Sequence, residues 1–159
     1  MRAELVNPFV RGASNVIGML VSVTPTLGGI TALPRGLTTQ QVNVVCGVTG
    51  HLQGQLILGM SDATSRRIAS AMLGGMDADD ELLLSSLAEL GNMISGNSVT
   101  ELATGGFECD ITPPSMIRGT DVQISTVDIP AVVISLTLAE LGTLEVTVSL
   151  KDRAAAKAA

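Results

Sequence analysis

Ser85, Glu89 and Asn92 fall at i, i+4 and i+7 in the stretch SSLAELGNMISGN, residues 85–97. If that stretch is helical, the three side chains stack along one stripe, with Gly96 continuing it and Gly91 on its flank. A carboxamide can donate to a water molecule and accept from it. A carboxylate on an exposed helix can reach an ammonium group on a partner. A hydroxyl, a carboxylate and a carboxamide with so little bulk around them suit entry into a partner's active site better than a complete site of their own. The same residues also fit the solvated face of an amphipathic helix. The glycines fit clearance for a partner or close packing between helices.

The helix that must carry this stripe is weak in its middle. Gly91, Asn92, Gly96 and Asn97 are poor helix formers, and each interior Gly costs about 0.8–1 kcal/mol relative to Ala. Acidic residues at 77–80 suit a helix start, and Gly105–Gly106 a stop. Between them Leu83, Leu87, Leu90, Ile94 and Leu102 supply an apolar face at helical spacing. Two further helices are expected. NPFVRGASNVIGML has Pro8 near its start, and SDATSRRIASAMLGG opens on a Ser61 or Asp62 cap and closes at Gly74–Gly75.

Strand signals form two clusters. QVNVVCGV and LQGQLILGM flank a turn at 49–51, while DVQISTV, AVVISLTL and TLEVTVSL follow the second Pro-containing turn. The clusters repeat. A shift of 88 positions carries Thr24 and Pro25 onto Thr112 and Pro113, Val44 and Val45 onto Val132 and Val133, and Thr49 onto Thr137. It also carries Gly54, Leu56 and Ser61 onto Gly142, Leu144 and Ser149. The expected fold is therefore α/β (α+β): helices packed on a mainly antiparallel sheet, with an internal pseudo-two-fold repeat. One domain is expected over residues 1–152, with an alanine-rich tail, frayed, over 153–159. Under the shift of 88, Ser85, Glu89 and Asn92 map to −3, 1 and 4, and position 4 is Glu4. The first copy therefore carries no counterpart of the stripe, and one site per chain is expected.

Composition removes several function classes. The chain of 159 residues is 46% hydrophobic, carries a formal charge of −6, and has two Phe, no Tyr and no Trp. Single-stranded nucleic acid is usually gripped by aromatic platforms and duplexes by excess Lys and Arg, so nucleic acid is not an expected partner. Cys46 and Cys109 are too few for a disulfide framework or a zinc site and read as small buried hydrophobes. His51, the one histidine, argues against a multi-histidine metal site and reads as an exposed turn residue. No apolar run is long enough for a membrane span and the amino terminus lacks a signal-like h-region, which points to the cytoplasm.

The residues of this chain resemble the CheC/CheX/FliY family of chemotaxis phosphatases, most closely its CheX branch. The match rests on SSLAELGNMISGN, on DITPPSMIRG (residues 110–119), on SAMLGGM (residues 70–76) and on ELVNPFV near the amino terminus. The family pattern of Ser or Asp, then Glu, then Asn, then a later Pro is met by Ser85, Glu89, Asn92 and Pro113, with Pro114 beside it. The resemblance implies hydrolysis of the aspartyl phosphate of a CheY-type response regulator. Asn92 would position the attacking water and Glu89 would pair with the receiver's active-site lysine. Ser85 would shape the contact, while Gly91 and Gly96 would give the receiver's loops clearance. It implies no metal of the chain's own, since Mg²⁺ belongs to the phosphorylated receiver. Such proteins are similar in forming homodimers through their sheets, for which IPAVVISLTL is a compatible edge. The CheX branch carries one site per chain, whereas CheC-like relatives often carry two. The rival from the same family is an adaptor that binds CheY-phosphate without hydrolysing it, as flagellar-switch components do. Pro113 and Pro114 are expected to be structural.

Overall fold

The computed structural model describes residues 1–35, 37–126 and 128–154. In chain order the elements are α1 (Ala3–Val21), β1 (Thr26–Leu33), β2 (Leu37–Thr38), β3 (Val42–Gly50), β4 (Leu52–Met60), α2 (Asp62–Met72) and α3 (Asp80–Thr104). There follow β5 (Cys109–Ile111), β6 (Ser115–Arg118), β7 (Ile124–Ser125), β8 (Ala131–Thr137), a short 3₁₀ turn (Ala139–Leu141) and β9 (Thr143–Asp152). Seven strands form one antiparallel sheet in the order β1-β8-β9-β4-β3-β5, with β6 on the same edge of β3 as β5. A separate ribbon pairs β2 with β7.

The alternation of the strands decides which face is covered. Val42, Val44, Cys46 and Val48 of β3, and Leu52, Leu56, Leu58 and Met60 of β4, point to the same core as Val132, Ile134 and Leu136 of β8. Leu144, Val146, Val148 and Leu150 of β9 join them. All occupy even positions, as the two-residue period of a strand requires. Against this face pack Phe9, Ala13, Val16 and Ile17 of α1, Ile68 and Ala69 of α2, and the leucine face of α3. The opposite face is capped more thinly. Ser149 Oγ donates to the backbone oxygen of Pro130, and Gln40 Nε2 donates to Glu145.

The repeat is visible in the pairing at the centre of the sheet. β4 and β9 lie side by side, and Leu58 pairs with Val146, 88 positions later. A pseudo-two-fold axis therefore passes between these two strands. On either side, β1 of the first copy lies on β8 of the second, and β6 of the second lies on β3 of the first.

Several expectations need revising. Pro8 sits inside α1, which already begins at Ala3. Its missing N–H falls in the second turn, where the carbonyl four residues earlier goes without a donor. β1 was not foreseen, because TLGGITAL carries two glycines that break its strand pattern. Those glycines lie at the register shift between Leu27 and Ile30. DVQISTV yields only the two residues of β7. IPAVVISLTL cannot be an edge, since β8 is flanked by β1 and β9; the edge on that side of the sheet is β1. At the carboxy terminus Arg153 N–H donates to the His51 carbonyl and Ala154 N–H to Asp152. Residues 155–159 of the expected tail lie outside the described residues.

Candidate functional site

α3 is built to hold its side chains at fixed positions. Asp79 caps it, its Oδ1 accepting from Leu82 N–H at 2.8 Å, with Asp80 and Glu81 in the first turn. It ends where Gly106 adopts a positive φ of 92° and Phe107 N–H closes on the Leu102 carbonyl. Leu83, Leu87, Leu90, Ile94 and Leu102 are all buried. One side of the helix is thus sealed against β3 and α1, which fixes the other side toward solvent.

Ser85, Glu89 and Asn92 lie on that outer side and are exposed. With a rise of about 1.5 Å per residue they span roughly 10 Å along the helix. Ser85 Oγ donates to the Glu81 carbonyl at 2.8 Å, leaving its lone pairs for another molecule. Among the described residues, the Glu89 carboxylate has no ion pair and the Asn92 carboxamide no hydrogen bond. Asn97 differs, for its Nδ2 donates to the Met93 carbonyl at 2.8 Å and ties it to its own helix. Gly96 continues the stripe. A Cβ placed there would meet only Ile111 Cδ1 at 3.9 Å, so the space beside Asn92 is open.

Gly91 does not belong to that surface, and the expectation that it clears space for a partner is corrected. It is buried, and a Cβ added there would sit 2.6 Å from Val44 Cγ1 and 3.3 Å from Cys46 Sγ. The missing side chain lets α3 press onto β3. Ser95 and Ser98 lie on the same buried side, their hydroxyls donating to the Gly91 and Ile94 carbonyls at 2.7 Å. Small residues that return their one polar group to the backbone keep the helix close to its neighbours at little cost. Burial pushes the Cys46 thiol above its ordinary pKa, with the Ser95 hydroxyl beside it working weakly the other way.

Other residues singled out from sequence fall away from the stripe. Pro113 and Pro114 lie between β5 and β6. There Thr112 Oγ1 accepts from Gly47 N–H while Thr112 N–H donates to the Gly47 carbonyl, so the turn lets two short strands share one edge of β3. His51 is exposed in its turn, its Nδ1 accepting from Glu108 N–H at 2.9 Å. Cys46 is buried and Cys109 partly so, both free thiols. No group of three or more His, Cys, Asp or Glu among the described residues could hold a metal ion.

Sequence reasoning missed two features near the amino-terminal end of α3. Leu82, three residues before Ser85, is 41% exposed, a large apolar side chain beside the stripe. Arg66 and Arg118 both reach Asp62 and Asp80, tying α2 and β6 to the first turn of α3. The charges were visible in the sequence, but only the fold brings them together. Taken together, the exposed stripe offers an amide, a carboxylate and a hydroxyl on a fixed convex surface, and such groups act only on what another molecule brings.

Residues 42–137 match the family model described as chemotaxis phosphatase CheX. The CheY-P phosphatase CheX of Thermotoga maritima is 34% identical over 128 residues, covering 79% of this chain and 83% of that protein. A putative chemotaxis protein of Desulfovibrio vulgaris Hildenborough has the same fold, with a TM-score of 0.85 at 25% identity, covering 93% of this chain and 97% of that one. A chain in the crystal structure of the CheX–CheY–BeF₃–Mg²⁺ complex from Borrelia burgdorferi is 30% identical, with a TM-score of 0.78 over 95% of this chain and all of that one.

Proposed function

This chain belongs to the CheX family of chemotaxis phosphatases, and on that premise we propose that it hydrolyses the aspartyl phosphate of a CheY-type response regulator by presenting Glu89 and Asn92 to the receiver's active site. The observation that carries the reading is the pair itself. Both side chains are exposed, unpaired and three residues apart on a helix whose other face is locked into the core. Groups that have no partner within the chain, on a surface that cannot easily reorient, suit a contact with something else.

The chemistry asks little of the helix beyond position. Phosphoryl transfer is catalysed largely by alignment and by stabilising charge. The Asn92 carboxamide hydrogen-bonds a water and holds it opposite the bond to be broken. The water oxygen bonds to phosphorus as the bond from phosphorus to the aspartyl oxygen breaks, and the carboxylate leaves with that electron pair. The water's protons pass to phosphate and solvent, because a neutral amide is a poor proton acceptor. Glu89 pairs with the receiver's lysine and sets the docking angle. Ser85 offers its hydroxyl lone pairs at the rim, and Gly96 leaves the receiver room beside Asn92. The Mg²⁺ that balances the phosphoryl charge comes with the receiver, a reading supported by the likeness to a chain of the CheX–CheY–BeF₃–Mg²⁺ complex.

The test is the decay of the phosphorylated receiver, with and without the protein, in Mg²⁺ buffer. Wild type accelerates decay. Asn92→Ala loses about two orders of magnitude of that acceleration, the typical cost of removing one well-placed polar group from a transition state, and Glu89→Ala weakens docking, with folding unchanged in both. Binding without acceleration in the wild type would leave the adaptor reading in place of the phosphatase. The setting is the cytoplasm, where receivers are phosphorylated.

The chain is also read as a homodimer joined through β1. Among the described residues that strand is one edge of the sheet, with β5 and β6 at the other, and Leu27 and Ile30 on it are 51% and 59% exposed. Exposed apolar residues on an unpaired edge invite a second strand. Ile30→Lys is expected to shift the protein from dimer to monomer in sedimentation; a wild type that already sediments as a monomer would remove the reading.

A further inference from the structure

Eight large apolar side chains stand exposed among the described residues, and three of them, Met76, Leu82 and Leu84, fall within nine residues at the entry to α3. A singly exposed leucine is ordinary on a protein surface. What sets Leu82 apart is its register. Successive helix residues turn by about 100°, so Leu82, seven positions before Glu89, lies within about 20° of it around the axis. The stripe therefore runs Leu82, Ser85, Glu89, Asn92 and Gly96. Leu84 is turned about 160° away from Leu82 and belongs to the opposite flank. Among the described residues, Leu82 is the one exposed large apolar side chain in line with the polar groups.

Its backbone is fixed. Leu82 N–H donates to Asp79 Oδ1 at 2.8 Å, and Asp80 in the same turn is paired with Arg66 of α2 and Arg118 of β6. An apolar side chain held in water on a rigid turn costs little to order when another molecule covers it. The rest of the stripe leaves it a task. Glu89 and Asn92 address what any receiver phosphorylated on aspartate brings, a lysine and a phosphoryl group open to water. They can speed hydrolysis without telling one receiver from another. Gly96 has no side chain, and Ser85 offers one small hydroxyl. Discrimination between receivers needs a contact outside the reacting groups, where a fit to one partner is a misfit to the next.

We propose that Leu82 is a specificity-determining residue of α3, which packs on an apolar surface beside the phosphorylation site of the receiver this protein prefers. The inference rests on the function proposed for α3 and extends its footprint by two turns. At a rise of about 1.5 Å per residue, Leu82 lies roughly 10 Å from Glu89 and 15 Å from Asn92 along the axis. That is near enough to be covered in the same docking and too far to touch the reacting atoms. A receiver with a polar or charged side chain at the facing position must desolvate it against Leu82, and so is used less well. Because the contact is the same before and during the chemical step, it acts on KM and leaves kcat alone.

The test uses two phosphorylated receivers from the same organism, one that the wild type dephosphorylates fast and one that it dephosphorylates slowly. Decay is followed with wild type, Leu82→Ala, Leu82→Met and Leu84→Ala. Alanine is a good helix former at an exposed position, so Leu82→Ala should fold as the wild type does, which circular dichroism checks. With the preferred receiver, Leu82→Ala should raise KM about tenfold at unchanged kcat, the scale of a lost apolar contact. Leu82→Met keeps the volume and the apolar character and should stay within about twofold of wild type. Leu84→Ala, on the other flank, should do the same. With the poorer receiver, Leu82→Ala should change KM by less than about twofold, so the preference between the two narrows. An unchanged KM, a loss in kcat instead, or equal losses for both receivers would overturn the proposal. Titration with the beryllofluoride-activated preferred receiver separates this outcome from failure of the function proposed for α3. If the wild type binds without accelerating decay, the phosphatase reading fails, while weaker binding by Leu82→Ala still supports the contact and equal binding overturns it. A wild type that neither binds nor accelerates overturns both.

Discussion

The two sides of α3 use the same kinds of residue for opposite ends. On the inner side, Gly91, Ser95 and Ser98 are small so that nothing separates the helix from β3 and α1. On the outer side, Gly96 is small so that nothing occupies the space beside Asn92. The two glycines are five residues apart, more than a turn, and so they face different surroundings. Smallness alone therefore does not say whether a helix is making room for its own core or for another molecule. The neighbours decide.

The sharpest way to break the comparison is to fill the inner side. Gly91→Leu forces a branched side chain against Val44 and Cys46 in a full core, and should cost about 3 kcal/mol of stability. Thiol labelling reports the site of damage. In the native wild type, Cys46 is buried and its raised pKa keeps it protonated near neutral pH, so only the partly exposed Cys109 should react with iodoacetamide. In Gly91→Leu both should react. Equal protection of Cys46 in the two proteins would mean that α3 does not need Gly91 to seat on the sheet.

How much of this was legible in the sequence depends on the element. The leucine face of α3, its Asp and Gly boundaries, and the hairpin of β3 and β4 follow from local periodicity and turn chemistry, so they could be read directly. The exposure of Ser85, Glu89 and Asn92 followed from the same periodicity. The repeat could be read as well, but the pairing of β4 with β9 across its axis came only with the structure. What could not be read was set by distant contacts. Val44 decides that Gly91 is a core residue, and it lies far away in the sequence. β1, β5 and β6 are short or glycine-bearing strands that exist because β8 and β3 offer them an edge.

Filling the outer side should do much less to the fold. In Gly96→Ala the new methyl group meets only Ile111 Cδ1 at 3.9 Å, and alanine is the better helix former, so stability should rise by about 0.5–1 kcal/mol. The methyl group stands one turn beyond Asn92 on the stripe, where it should lower the acceleration of receiver decay by roughly threefold through an impaired approach, the penalty of a small overlap at a contact. Opposite signs for stability and rate are what distinguish the outer glycine from the inner one. A Gly96→Ala protein that is both more stable and fully active would show that the open space beside Asn92 is not used.

Ser85→Ala is the smallest and most discriminating change. The Ser85 hydroxyl donates to the Glu81 carbonyl, a bond within the helix that offers little net stabilisation. Replacing it with alanine should leave the melting temperature level or slightly raised. If Ser85 serves only as a helix residue, receiver decay will be unchanged as well. If its lone pairs meet the receiver at the rim, the apparent KM for the phosphorylated receiver should rise about twofold to threefold while kcat holds. That is the pattern of a contact made equally in the ground and transition states. Asn92→Ala should lower kcat instead. The two ends of one stripe would then be separable, with docking at the amino-terminal end and water positioning one turn and a little more beyond Glu89's neighbour Ala88. A fall in kcat in Ser85→Ala would join them, and make the hydroxyl part of the chemistry.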